Sequence, residues 1–407
     1  MEGKQSCECS VNNYQRTKIV ISEEFTYDLQ NSINKIIIEQ GYGTYEIDAG
    51  KVFTGGNNFL GELYEINVTG YNSEGHKETS LFLKHIIYND DFRVYSIPEV
   101  YAREAFVYKE LSKIYDELQV KAKIPLGERF KMVKSYNETN SKVIILDNLT
   151  KKGYKTMPRL DVMSVEFAEL SIKQLAKFHA LSFVLQNRNP EYFETKIKTI
   201  KQSFVFDDYW NELAKKMCDT STARMDDATK DKIAKFFPIS LEKYPKYMNG
   251  LHSKIKCLVH GDYKMNNVLL KEINGRVSEV IPIDYQQIYY GCPVIDLIYF
   301  IYAASDRNFR KQHLLYLRDV YFKTLTSFLN YFDIDSLFSS EDFEKCFKDS
   351  LDYALMYTLY MLPMFLIKED VPDLAKDNLL EMTIKIDERF YDRMQGIVDE
   401  FIELGIL

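Results

Sequence analysis

Tryptophan occurs once in these 407 residues, at Trp210, and cysteine only six times. Six thiols in a chain this long do not make a disulfide scaffold, and no zinc-type Cys/His spacing runs through them. Cys7 and Cys9 stand together in a polar terminus; reduced thiols and a cytoplasmic setting are expected. Positive charge is not in excess either: 52 Lys and Arg face 60 Asp and Glu, a net charge of −8. That excludes a general nucleic-acid binder, which needs a basic surface. The first fifteen residues hold no apolar segment of the secretory-signal kind. The greasiest stretch, Tyr353 to Ile367, is shorter than the roughly 20 residues that span a bilayer. Thr358 and Pro363 interrupt it, so it reads as a buried, kinked helix and no membrane span is expected.

What is present is ordinary for a folded soluble chain: 46% hydrophobic and 28% charged residues, with enough length for two or three domains. Tyrosine (30) and phenylalanine (26) are plentiful. Most of these rings belong in a core, and some are candidates to line a pocket.

The apolar periodicity changes along the chain. A first helix is expected over about 23–40, capped by Ser22 and stopped by Gly41. Extended runs follow at 45–54, 61–70 and 79–87, with a turn at Asn72 to Gly75. Pro98 opens a long helix to about Leu118, and strands are expected at Lys131–Tyr136 and Lys142–Leu146. The first 146 residues thus read as a five-stranded antiparallel sheet with one major helix. Beyond Asp147 the pattern is helical (164–186, 204–218, 227–245 and stretches after 295), except for a β-like patch at 257–286. A small β-rich lobe, a short connector and a large helical lobe imply a cleft between them, a favoured place for a ligand.

The segment Leu258-Val-His260-Gly-Asp262-Tyr-Lys264-Met-Asn-Asn267 carries an H-x-D-x-x-x-x-N pattern between apolar runs. Asp284 follows the apolar run Val280-Ile-Pro-Ile283. Phosphoryl transfer needs this inventory: one carboxylate to orient and deprotonate a hydroxyl, then an amide oxygen and a second carboxylate to hold Mg²⁺ against phosphates. The alternative is that Asp262 and Asp284 are turn acids satisfying backbone N–H groups. In the first lobe, Lys84 ends the run Leu81-Phe-Leu83 and is suited to α- and β-phosphates. Glu104 on the next helix is its candidate partner, with Glu99 and Glu110 as competitors. Gly55 and Gly56, in the turn before the second strand, would let backbone N–H groups approach a phosphate, although a hairpin turn explains them equally well.

This ordered set resembles the α+β, two-lobed protein-kinase-like fold, and within it the aminoglycoside phosphotransferase and choline kinase group. Leu175-Ala-Lys-Phe-His179-Ala180, Asp284-Tyr-Gln286 and Pro293-Val-Ile-Asp296-Leu297 with Tyr299-Phe300 are similar to motifs of the ecdysteroid kinase-like family. The resemblance spans roughly 40–310. It implies a nucleotide-binding lobe over 1–146, a hinge over 147–154 that includes Asp147 and Leu149, and a catalytic and substrate-binding lobe over 155–407. By position it makes Asp262 the catalytic base, Asn267 and Asp284 the Mg²⁺ ligands, Lys84 the phosphate-binding lysine and Glu104 its partner. His260 would brace the catalytic loop, Asp296 would accept its N–H groups, and His179 would be a packed core residue. Lys264 would reach the γ-phosphate. Only twelve residues separate Asp284 from Asp296, leaving no platform for a peptide substrate. The expectation is an ATP- and Mg²⁺-dependent kinase of a small-molecule hydroxyl, an ecdysteroid or a xenobiotic. A kinase of cationic alcohols such as choline or an aminoglycoside, and a nucleotide-binding pseudokinase, are the alternatives. Trp210, Tyr209, Tyr357 and Tyr360 are candidates for an apolar acceptor pocket.

Overall fold

The computed structural model describes residues 19–20, 27–52, 61–88, 92–335, 337–367 and 378–407. Its first sheet runs in the order β1 (Ile19–Val20), β2 (Thr44–Lys51), β3 (Gly61–Asn72), β4 (Gly75–Ile86) and β5 (Val143–Asp147). The last four strands are antiparallel, whereas the two-residue β1 lies parallel to β2. Five strands were expected, but not this set. Lys131–Tyr136 meets β5 at a single bridge, Ser135 to Leu146. Its upstream donors are taken by side chains: the Phe130 N–H goes to Gln119 Oε1 (2.7 Å) and the Lys131 N–H to Gln174 Oε1 (3.3 Å). Donors bonded that way cannot extend a ladder.

Alternation along β4 decides which way its lysine points. Leu81 and Leu83 are fully buried in a cluster with Leu29, Ile33, Ile36 and Ile37 of α1 (Tyr27–Glu39). Successive strand residues face opposite sides, so Lys84 lies on the other face with Ile86, which joins the main core. That face is covered by α2 (Ile97–Phe106), which Pro98 and the Ser96 cap initiate. A five-residue π-turn, Val107–Leu111, then links α2 to α3 (Ser112–Lys121). The long helix expected from Pro98 is therefore interrupted just after Glu104. Ser22 and the start of the first predicted helix lie outside the described residues; Gly41, at φ +76°, follows its end.

The helical lobe is organised around α4 (Val165–Arg188), capped by Ser164 and fully buried at Leu175, Ala176, Ala180, Leu181 and Val184. Burying each leucine there contributes about 1.5–3 kcal/mol. Further helices include Asp208–Thr222, Asp227–Met248, Pro293–Ala303 and Arg307–Asn330. Helix Asp352–Tyr360 breaks at Met361 and resumes over Leu362–Phe365 with Pro363 in its first turn, which is the expected kink. The β-like patch expected at 257–286 is divided between two small sheets. One joins β6 (Tyr154–Lys155), β8 (Val268–Ile273) and β9 (Arg276–Pro282); the other pairs β7 (Cys257–Val259) with β10 (Tyr289–Gly291). Among the described residues, no helix is long and apolar enough to cross a membrane.

Candidate active site

Lys84 Nζ lies 3.1 Å from Glu104 Oε2 and 2.8 Å from Asp284 Oδ1. One cation from the sheet thus ties α2 to the loop after β9, 200 residues away in sequence. The competing acids are engaged elsewhere: Glu99 pairs with Arg103 and Glu110 accepts from the Tyr192 hydroxyl. Burial pulls the Lys84 ammonium down, but the two carboxylates more than reverse this and leave its pKa well above the ordinary value. Burial likewise pushes Asp284 up, and Lys84 overrules it, holding that carboxyl below its usual range. Glu104 is the loser of the three. Its side chain is only 2% exposed, and burial outweighs the attraction of Lys84, raising it to about 7.

A pH signature follows. An acid whose folded pKa is raised contributes stability that is complete below its unfolded value, about 4.5, and is lost as pH rises through about 7. Glu104→Gln, which imitates the neutral form, should therefore melt several degrees above the wild type at pH 8, with the gap closing towards pH 5. Parallel melting curves across that range check it; a gap independent of pH would contradict it.

The second cluster is built on the loop between β7 and β8. Asp262 Oδ2 accepts from Lys264 Nζ (2.8 Å) and Asn267 Nδ2 (2.9 Å), and Oδ1 accepts from the Tyr299 hydroxyl (2.5 Å). Asn267 Nδ2 also reaches the Asp262 carbonyl at 2.9 Å, so its Oδ1 is the atom left to face a cation. Lys264 Nζ sits 4.3 Å from the centroid of the Phe365 ring. His260 donates from Nε2 to the Ile283 carbonyl (3.0 Å), while its Nδ1 accepts the Asp262 N–H (3.4 Å). Burial lowers its pKa against the pull of Asp296 and Asp262, and the neutral ring fits these two roles. His260 thereby braces the Asp262 loop against the residue preceding Asp284.

Asp296, in the first turn of helix Pro293–Ala303, accepts the N–H groups of His260 (2.6 Å) and Gly261 (2.9 Å). His179 is fully buried as expected of a core residue, yet it is bonded: Nε2 lies 3.1 Å from Asp296 and Nδ1 2.8 Å from the Tyr321 hydroxyl. Gly261 adopts φ +77°, and a Cβ there would stand 2.1 Å from the Gln287 carbonyl oxygen, so only glycine lets the two loops approach. Asp284 itself is at φ +65°, a left-handed conformation that costs a non-glycine residue about 1–2 kcal/mol. Such strain is commonly held at functional sites.

Asp262, Lys264 and Asp284 share the wall of one cavity that encloses roughly 1100 Å³, its open mouth included. Trp210, Tyr357 and Tyr360 line it, as the sequence had suggested; Tyr209 does not. The rest is chiefly aromatic and methionine, including Tyr244, Tyr353, Met217 and Met364. Lys84, Glu104, Asp147 and Leu149 are not part of that wall. Asp147 pairs with Lys152, and Leu149 opens a short 3₁₀ turn and is buried. Gly55 and Gly56 lie outside the described residues. Tyr299 was given no role from sequence, although it lies three residues after Asp296 on one helix face, a spacing that pointed to the same loop.

A sheet-borne lysine paired with a helix glutamate, opposite an H-x-D-x-x-x-x-N loop on a helical lobe, places the chain in the protein-kinase-like fold class. Within that class the chain belongs to the ecdysteroid kinase-like family, which it matches over residues 55–333. Among solved structures it is similar to a putative aminoglycoside phosphotransferase from Ralstonia eutropha, at 10% identity and a TM-score of 0.45, covering 92% of this chain and 98% of that one. It is also similar to an ethanolamine kinase from Plasmodium vivax, at 11% identity and a TM-score of 0.43, covering 88% and 83%. No curated protein sequence matches it.

Proposed function

We propose that the chain is an ATP- and Mg²⁺-dependent kinase that phosphorylates a hydroxyl of a lipophilic alcohol, an ecdysteroid or a xenobiotic. The observation that carries this reading is the meeting of Asp262 and Asp284 at the end of an aromatic cavity, with Asp284 tied across the cleft to Lys84. Asp262 Oδ1 would orient the acceptor hydroxyl and take its proton, with Tyr299 fixing the carboxylate. Asn267 Oδ1 and Asp284 offer two hard oxygens. Mg²⁺ usually takes one or two carboxylate-type ligands and completes its shell with phosphates and water, so this donor set fits. Bound there, the ion would screen the phosphate charges. Lys84 would contact the α- and β-phosphates, and Asp147 and Leu149 would form the hinge beside the nucleotide base.

The cavity lining supports a neutral, bulky acceptor. Among the described residues its carboxylates are Asp262 and Asp284, both assigned here to chemistry, and none of those residues is left to bind a polycation such as an aminoglycoside. The test is ATP consumption with Mg²⁺ across steroids, phenols, glycosides and choline. Acceptor-dependent turnover with a lipophilic alcohol is expected; turnover with choline alone would overturn the assignment of substrate.

Lys264 supplies a further prediction. Its ammonium, beside Asp262 Oδ2, is within a side chain's swing of where a γ-phosphate would meet the acceptor hydroxyl. Lys264→Met should lower kcat by roughly 10²-fold, with nucleotide affinity little changed. Steady-state kinetics and nucleotide titration separate the two; unchanged turnover would refute the role.

A further inference from the structure

Among the described residues, three buried donors in the cavity wall lack a hydrogen-bond partner; one, the Tyr357 hydroxyl, belongs to the ring that meets Tyr299 beside Asp262, and the other two stand apart from it. Trp210 Nε1 and Gln286 Nε2 are buried, and neither has a hydrogen-bond partner among the described residues. The residues are 3% and 4% exposed, and both line the cavity that holds Asp262 and Asp284. A buried donor without a partner is costly, and native structures usually leave one only where something else completes it.

Trp210 cannot turn away to find a partner of its own. The Asp207 side chain accepts its backbone N–H at 3.1 Å, starting helix Asp208–Thr222. The indole is stacked on Tyr244 (5.5 Å, 15°) and held edge-on by Phe206 (5.2 Å) and Phe204 (6.0 Å). The stacking continues from Tyr244 to Tyr353 (5.6 Å, 12°) and from Tyr353 to Tyr357 (6.2 Å, 26°). Tyr357 then meets Tyr299 edge-on at 4.3 Å, and the Tyr299 hydroxyl bonds Asp262. Trp210 and Asp262 thus stand at opposite ends of a column of rings that forms one wall. Gln286 belongs to the Asp262 end, two residues beyond Asp284.

We infer that Trp210 Nε1 and Gln286 Nε2 are specificity-determining donors that read oxygen acceptors on the substrate. The preferred substrate is then an extended lipophilic alcohol carrying, besides the hydroxyl at Asp262, a ketone, ether or second hydroxyl oxygen placed for Trp210. A neutral oxygen is indicated because, among the described residues of the lining, the one cation, Lys264, sits at the catalytic loop. The inference rests on the kinase reading for which hydroxyl reacts, and adds what the remote end must offer. A site with a buried donor penalises the analogue that lacks the matching oxygen more than it rewards added apolar bulk.

The test uses matched pairs of alcohols on steroid, terpene and phenol skeletons, each pair differing by one ketone remote from the hydroxyl; epiandrosterone and androstanol are one such pair. Calorimetric titration without nucleotide gives affinities for the wild type, Trp210→Phe and Gln286→Leu, with melting curves to confirm folding. Because Trp210 is the sole tryptophan, wild-type emission reports the indole alone. The keto member of the best-bound pair is expected to bind roughly 10- to 100-fold tighter and to red-shift the emission. Trp210→Phe should erase that preference by weakening the keto member only, and Gln286→Leu should weaken both members equally. Equal affinities within every pair, no binding by any of them, or a preference that survives Trp210→Phe overturns the inference. Since nucleotide is absent, a preference without phosphate transfer would strike the kinase reading alone, and transfer without a preference would strike only this one.

Discussion

Asp262→Asn is expected to lower turnover by roughly 10²–10⁴-fold while leaving folding and nucleotide binding intact. The local hydrogen bonds explain why the fold survives. Lys264 and Asn267 both donate to Oδ2, and the new amide can keep its oxygen there. Its nitrogen then faces the Tyr299 hydroxyl, which can accept as readily as donate. The hydrogen bonds are kept, while the capacity to take a proton and the negative charge opposite Lys264 are lost. Acceptor-dependent ADP formation, measured beside a melting curve, checks this; turnover within a few-fold of wild type would remove Asp262 from the chemistry.

Lys84→Met should have the largest effect on stability. It leaves Glu104 and Asp284 facing each other without their cation, and breaking a buried ion pair from one side costs about 3–5 kcal/mol. The loss should depend on pH. Glu104, already raised to about 7, relieves the repulsion by taking a proton as pH falls, so the destabilisation should be greater at pH 8 than at pH 6. Nucleotide affinity should fall with it. A melting temperature equal to wild type at pH 8 would show that Lys84 does not hold the two carboxylates together.

The parts of this site legible in the sequence are those fixed by short-range periodicity. Leu81-Phe82-Leu83-Lys84 reads as an alternating strand, and alternation alone turns the lysine away from the face that packs on α1. The H-x-D-x-x-x-x-N spacing likewise survives any detail of the surrounding fold. What sequence could not give depends on which distant group reaches a backbone or hydroxyl first. Lys131–Tyr136 has strand-like composition, yet Gln119 and Gln174 take the donors of its upstream end. The π-turn after Glu104 leaves no trace in a pattern read at helical period. Tyr299 was visible only as a residue in a motif; its bond to Asp262 requires helix Pro293–Ala303 to lie against the loop that carries Asp262, which Asp296 secures. The division of labour between Lys84's two carboxylates was equally hidden, because relative burial is a tertiary property.

The most direct measurement follows labelled γ-phosphate from ATP into an extractable alcohol in a single turnover, with nucleotide affinity determined in parallel. The wild type should yield a labelled phosphate ester only when Mg²⁺ is present, and Asp262→Asn should bind nucleotide yet transfer none of it. Nucleotide bound by the wild type with no ester formed from any lipophilic alcohol, or ester formed equally by Asp262→Asn, would contradict the account.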